Sequence, residues 1–255
     1  MLAVVTATVD RERADPCLAS WKQHAAGDYK LEVITNGGTH DYLGPVAAFR
    51  IGVESALQRF SECDVIACFH DDLVILESNW DETIEHCFRE HPEVGLASFG
   101  GCTILGDDML YHAPYHPDLL EAGELVHGVQ PQRIVVPVPY CLIGRRAFWS
   151  GFHEVEWRTR QTRRKRMPRP WAVIDDLGMV DHWYEGALAC LARRGGWQVR
   201  YLPVRCRHLK GQTTRDAGYQ QWAAEEIEGG DRGFWEAAHR IGYDAFKDVL
   251  PLRLD

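Results

Sequence analysis

The sequence predicts an α/β fold, a mainly parallel sheet with helices on both faces. Three observations lead there. Apolar, strand-length runs alternate with helix-length segments through the first hundred residues. These runs are continuously apolar, as strands buried on both faces require, instead of alternating apolar with polar. Polar residues (Thr8, Asn36 and the run His70-Asp71-Asp72) follow just past the carboxyl ends of the runs, where open sheets of this kind bind ligands. At 255 residues the chain is long enough for one sizeable core.

In chain order, "LAVVTATV" (Leu2 to Val9) reads as the first buried strand. Asp15 and Pro16 then supply a helix N-cap and a first-turn proline for "CLASWKQHA". "KLEVITN" (Lys30 to Asn36) is a second strand closed by the turn "NGGT". "GPVAAFRIGVESALQRF" carries apolar residues at helical spacing, and "DVIACF" is a third strand. A helix from the cap Ser78, "SNWDETIEHCFREH", leads to a fourth strand, "VGLASFG" (Val94 to Gly100).

From Gly101 to Arg133 the pattern is irregular and rich in His, Pro, Asp and Gly, the composition of a substrate-facing excursion. "RIVVPVPYCLIGRRAFWSGF" returns to strand character and ends in a short helix. The following basic stretch and "PRPWAVIDDLGM" read as a mobile loop. "DHWYEGALACLARRGG" is a helix stopped by glycine, "WQVRYLPVRCRHL" is a last strand, and the tail after Lys210 is partly helical.

The net charge of −9 argues against generic nucleic-acid binding. Within that acidic body, "RTRQTRRKRMPR" (Arg158 to Arg169) holds seven basic residues and no acid. Three readings stay open for it: a solvated loop, a clamp on donor phosphate, or a contact to an anionic acceptor such as nucleic acid or a phosphate-bearing glycan or lipid. The eight cysteines are scattered without a CxxC pair, which predicts reduced, structural thiols. No run approaches the roughly 20 apolar residues that span a bilayer, and the start lacks a signal-peptide pattern, so the expectation is a cytoplasmic protein.

The stretch "VIACFHDDLVI" (Val65 to Ile75) carries the chemistry. Acidic residues at the edge of a buried strand are costly unless something binds them, so His70-Asp71-Asp72 is either a surface turn or a cation site.

Taken together, "VVTATVDRE", "VITNGGT", the apolar strand running into "FHDDL", "YCLIGRRAFWSGFHE", "GWQVRYLP" and the later His208 resemble, in order and spacing, the family-2 glycosyltransferases of the GT-A fold. The resemblance covers about residues 2 to 210. It implies a Rossmann-like nucleotide-binding half (residues 1–100) fused to an acceptor-binding half (101–210) around one mixed, mainly parallel sheet. Residues 211–255 follow as a partly helical extension. The implied activity is metal-dependent, inverting transfer of a sugar of the hexose type from a nucleoside-diphosphate sugar to an acceptor hydroxyl.

Carried over by position, Asp72 is the direct ligand to Mn²⁺ or Mg²⁺ and His208 the second. His70 stands where the family usually has the first aspartate of its DxD motif. Asp71 is the middle residue. The resemblance further implies that Thr8, Asp10, Arg11 and Asn36 line the nucleotide and that Arg50 lies near the diphosphate. An acid at the start of the helix before "GWQVRYLP" is the base; gapless counting selects Glu185, Asp181 lies one turn earlier on the same face, and Asp175 and Asp176 are further candidates. Trp149, Phe152 and Trp157 form either an aromatic wall for the sugar or part of the core.

Two other functions compete. A sugar-nucleotide nucleotidyltransferase shares the sheet but wants a glycine-rich loop after the first strand, which "TATVDRERAD" lacks. A catalytically silent nucleotide- or carbohydrate-binding protein is favoured by the substitution at His70.

Overall fold

The computed structural model describes residues 1–36, 42–106, 111–115, 133–151, 157–158, 163–164, 169–179, 183–209, 217–226 and 239–253. The chain begins β1 (Leu2–Thr8), α1 (Arg11–His24), β2 (Lys30–Thr35), α2 (Gly44–Arg59), β3 (Val65–Phe69), β4 (Leu73–Ile75), α3 (Trp80–Glu90) and β5 (Val94–Ser98). It continues with β6 (Gly101–Leu105), β7 (Tyr111–Tyr115), β8 (Arg133–Ile134), β9 (Val136–Pro137), β10 (Cys141–Arg145), α4 (Arg146–Ser150), β11 (Trp157–Arg158) and β12 (Arg163–Arg164). Last come α5 (Pro170–Asp176), α6 (Tyr184–Arg194), β13 (Gln198–Tyr201), β14 (Cys206–His208), α7 (Ala217–Glu226) and β15 (Leu252–Arg253).

The central sheet has seven strands in the order β2-β1-β3-β10-β5-β13-β8. β1 pairs in parallel with β2 and β3, and β13 with β5; β10 runs antiparallel between β3 and β5, and β8 antiparallel on the β13 edge. Five strands therefore share one direction, giving the mixed, mainly parallel α/β sheet the sequence predicts. Side chains alternate across it, so each apolar run feeds two cores. Leu2, Val4, Val65, Ala67 and Phe69 pack with Trp21 of α1 and Ile84 and Phe88 of α3. Ala3, Val5, Ile66 and Cys68 pack with Val46, Phe49 and Val53 of α2 and with α5 and α6 residues such as Trp171 and Leu188 on the opposite face. All eight cysteines are buried thiols, as expected of small apolar residues.

Several local expectations give way to tertiary structure. Helix α1 starts one turn before Asp15: Asp10 is its N-cap, accepting the N–H groups of Glu12 and Arg13 at 3.0 and 3.4 Å, and Pro16 lies inside the helix. At α3 the cap position falls on Asn79 in a left-handed conformation, not on Ser78. The segment expected as a loop after the basic window forms α5, because Trp171, Val173 and Ile174 bury one face against the core. The expected last strand divides: β13 stays in the central sheet, while β14 leaves it to pair antiparallel with β4. Part of the irregular excursion is also ordered, since β6 pairs with β7, β9 and β15 in a second sheet. Trp149 belongs to the core, about 1% exposed, its indole N–H donating to the Ile66 carbonyl at 2.9 Å. The side chains of Phe152 and Trp157 lie outside the described residues.

The β3, α2 and α3 ends are tied by two adjacent arginines. Arg145 donates to the carbonyls of Phe88, His91 and Val94, and Arg146 to those of Leu57, Phe60 and Cys63. These cations satisfy carbonyls that the ends of α2 and α3 would otherwise leave unpaired. Helix α2 approaches β1 closely at Gly52, where an added Cβ would overlap the Val5 side chain. Gly52→Ala gains helix propensity of up to about 1 kcal/mol but forces α2 off the sheet, a cost of about 1–3 kcal/mol. The expected net result is a lower urea midpoint at unchanged m-value.

Candidate metal centre

The site is built where β3 ends. After Phe69 the chain turns through His70-Asp71-Asp72, with the Leu73 N–H donating to the His70 carbonyl at 3.2 Å. The reversal sends β4 antiparallel to β14, in a register that sets His208 opposite Leu73. The Leu209 N–H donates to the Asp72 carbonyl at 3.0 Å, closing the ladder. Residues 136 positions apart thereby share one wall.

Three side chains converge there. His208 Nε2 lies 3.0 Å and His70 Nδ1 3.9 Å from the same oxygen, Oδ1 of Asp72. One ligating atom from each of the three residues lies within 4.8 Å of the others, the only such group among the described residues. Aromatic rings fix both imidazoles: Tyr140 stacks on His208 at 4.5 Å and Phe49 on His70 at 5.7 Å between centroids. The Tyr140 carbonyl also accepts the His70 backbone N–H at 3.1 Å. His70 Nε2 is 3.0 Å from the Tyr184 hydroxyl.

The two adjacent carboxylates differ. Burial pushes Asp72 up, but the hydrogen bond from His208 and the neighbouring imidazoles outweigh it, and its net shift is downward. Asp71 is pushed up by burial and by Asp72, against the Thr8 hydroxyl and the Arg13 guanidinium. Burial, with His208 beside it, holds the His70 imidazole down at about 4 despite the attraction of Asp72. An Asp72 carboxylate held anionic beside a His70 imidazole held neutral is the protonation state a cation needs.

Two imidazoles and one carboxylate fit a divalent first-row cation such as Mn²⁺; Mg²⁺ prefers an all-oxygen shell. His70, the departure from the acidic motif, sits inside this donor set. Three side chains able to ligate a cation thus lie together.

The other predicted residues divide. Thr8 meets Asp71, its hydroxyl proton serving either that carboxylate or the Asp10 carbonyl at 2.8 Å. Asn36 lies beside them because its N–H donates to the Thr8 carbonyl, but its buried side chain is engaged elsewhere, Oδ1 accepting the Leu43 N–H at 2.8 Å; the rest of the expected turn "NGGT" lies outside the described residues. Asp10 spends its carboxylate on the α1 cap, and Arg11 pairs with Asp15 on the exposed side of that helix. Arg50 is ion-paired with Asp175 of α5, which joins one predicted diphosphate contact to one candidate base. Glu185 is buried in the first turn of α6, next to Tyr184. Asp181 lies outside the described residues, as does most of the basic window; β11 and β12 form an antiparallel ribbon within it. Arg13, Phe49, Tyr140 and Tyr184 escape sequence reasoning because they act through contacts distant in the chain and match no short motif.

No protein-family profile matches the chain, and no curated protein matches its sequence. Among solved structures it is similar to GalNAc-T7, solved with UDP, GalNAc and Mn²⁺, at 11% identity and a TM-score of 0.51, covering 97% of this chain and 50% of that one. The chain thus spans half the length of that structure. It is also similar to A197 from STIV, at 9% identity and a TM-score of 0.45, covering 82% of this chain and 85% of that one. The likeness to GalNAc-T7 places the chain in the GT-A-like fold. No helix among the described residues is long and apolar enough to cross a membrane.

Two outcomes are expected. The isolated protein binds one Mn²⁺ without nucleotide, and His208→Ala weakens that binding by about 10-fold or more, as followed by electron paramagnetic resonance of free Mn²⁺. Stability of the metal-free protein also depends on His70. Its imidazole is lowered from 6.5 to about 4, so between those values the unfolded chain binds the extra proton. The contribution is complete above 6.5 and lost as pH falls toward 4. Urea midpoints in chelator drop over that window, and His70→Asn flattens the drop.

Proposed function

We propose that the protein is a metal-dependent glycosyltransferase that moves a sugar from a nucleoside-diphosphate sugar to an acceptor hydroxyl, with inversion at the anomeric carbon. The observation that carries this reading is the convergence of His70, Asp72 and His208 at the carboxyl ends of the strands of a GT-A-like sheet. Ligands of open α/β sheets bind at that edge. GalNAc-T7, which shares the fold, was solved with a nucleoside diphosphate, a sugar and Mn²⁺, the set of groups this reading calls for.

Asp72, His208 and His70 hold the cation, Mn²⁺ in preference to Mg²⁺. When bound, it neutralises charge on the departing diphosphate, a Lewis-acid contribution of several kcal/mol. Thr8, Asn36 and Asp71 border the nucleotide at the ends of β1, β2 and β3, and Asp10 and Arg11 form the rim of that turn. Arg50, ion-paired with Asp175, is the candidate contact to the diphosphate. Glu185 takes the proton of the acceptor hydroxyl as its oxygen attacks the anomeric carbon and the bond to the diphosphate breaks; Asp181 is the other candidate for this step. General-base assistance of this kind is worth about 10²–10⁴-fold. The ribbon β11–β12, within the window of seven basic residues, suits an anionic acceptor, whose binding would weaken steeply with salt.

The test is release of nucleoside diphosphate from a panel of nucleotide sugars with Mn²⁺, with and without acceptors. The wild type turns over at least one donor, and Asp72→Ala loses at least 100-fold. Glu185→Gln retains Mn²⁺ and donor binding but loses about 10²–10⁴-fold in transfer. Undiminished turnover in Asp72→Ala overturns the metal assignment, and undiminished transfer in Glu185→Gln overturns the base.

A further inference from the structure

The His70 ring has two nitrogens, and only one can serve a cation. Nδ1 faces Asp72 Oδ1 at 3.9 Å, and Nε2 faces the Tyr184 hydroxyl at 3.0 Å. That hydroxyl also lies 3.4 Å from the carbonyl oxygen of Pro139. With the Tyr184 hydroxyl donating to this carbonyl, which can only accept, the phenol oxygen presents its lone pairs to the imidazole. Nε2 then carries the hydrogen of the neutral ring, and the free lone pair falls on Nδ1, toward Asp72. In the opposite tautomer an N–H would project into the space between His70 and Asp72, where a cation belongs.

From this geometry we propose that Tyr184 is a positioning residue of the metal centre: it selects the Nε2–H tautomer of His70, making Nδ1 the ligand, and thereby couples cation binding to the seat of helix α6. The proposal rests on the reading of His70, Asp72 and His208 as a cation site. A cation on Nδ1 draws electron density from the ring and makes Nε2–H a stronger donor to the phenol oxygen, so the two contacts reinforce each other. His208 differs, since its Nε2 faces Asp72. The centre thus uses one histidine through each kind of nitrogen.

The coupling has a mechanical basis. Tyr184 is the first residue of α6 and Glu185 the second. The residue before them, Trp183, adopts φ 67°, a left-handed conformation rare for a bulky side chain. Its buried indole occupies space that only glycine leaves open: a Cβ on Gly186 or Gly242 would collide with it. This anchor fixes the angle at which α6 begins, and Tyr184 joins that angle to His70.

The experiment reads the tautomer and the cation separately from turnover. In metal-free wild-type protein with ¹⁵N-labelled histidine, the His70 signals, assigned by their loss in His70→Gln, show a protonated Nε2 and an unprotonated Nδ1. Tyr184→Phe removes that preference and weakens Mn²⁺ binding about 10- to 100-fold, the range typical of lost partners behind a ligand. The circular dichroism of the variant matches the wild type. A protonated Nδ1 in the wild type overturns the proposal even if the variant fails to fold, and so does unchanged Mn²⁺ affinity in a folded Tyr184→Phe. Failure of the wild type to bind Mn²⁺ at all overturns instead the cation site on which the proposal rests.

Discussion

The pairing of β4 with β14 is the interaction on which the site depends. β4 is only Leu73–Ile75 and β14 only Cys206–His208, yet this short ladder sets His208 against Asp72. Backbone bonds extend it at both ends: Leu76 and Glu77 donate to the Arg205 carbonyl at 2.9 and 3.2 Å, and Leu209 donates to Asp72. From the α1 side the Trp21 indole N–H donates to the Leu73 carbonyl at 2.7 Å, and the Trp80 indole in turn donates to Trp21. The turn His70-Asp71-Asp72 is thus held by the central sheet before it and by a separate two-stranded sheet after it. A three-residue turn with both ends fixed has few ways to rearrange, which suits a site that must be in place before its ligand arrives.

Electrostatics follow from that geometry. A buried carboxylate is costly unless charge or hydrogen bonds compensate it. Asp72 has two imidazoles, while Asp71, one residue on the other side of the same turn, has the Thr8 hydroxyl and the Arg13 guanidinium. Neighbouring acids therefore face different partners. Three rings, Phe49, Tyr140 and Tyr184, bear on the two histidines. Trp171 and Trp149 continue the stack from Phe49 into the core, with centroids 6.0 and 5.8 Å apart. His70 is thereby both a site residue and the end of a packed aromatic column.

The fold was legible in the sequence wherever local pattern and burial agree. Continuous apolar runs gave the buried strands of the central sheet, and the polar residues after them fell on the ligand edge. Legibility failed where a distant partner decides local structure. Asp15-Pro16 is a good helix start in isolation, but Asp10 caps the helix because Thr8 and Asp10 close the β1–α1 turn together. The segment after the arginines lacks the length of a typical helix, yet its buried side chains, Pro170, Trp171, Val173 and Ile174, recruit it against α2 and α6. Asn36, taken alone, suits base recognition as well as turn closure; the position of Leu43 determined that its oxygen accepts the Leu43 N–H.

By itself, the sequence determined the α/β architecture and the polar residues at the carboxyl ends of its strands, because burial and periodicity are written locally. Tertiary structure alone decided that His70 lies together with Asp72 and His208, since that depends on a turn and a strand pairing across 136 residues. It also decided which nitrogen of His70 faces Asp72. The other nitrogen lies 3.0 Å from the hydroxyl of a tyrosine 114 residues away, a contact that no local pattern encodes.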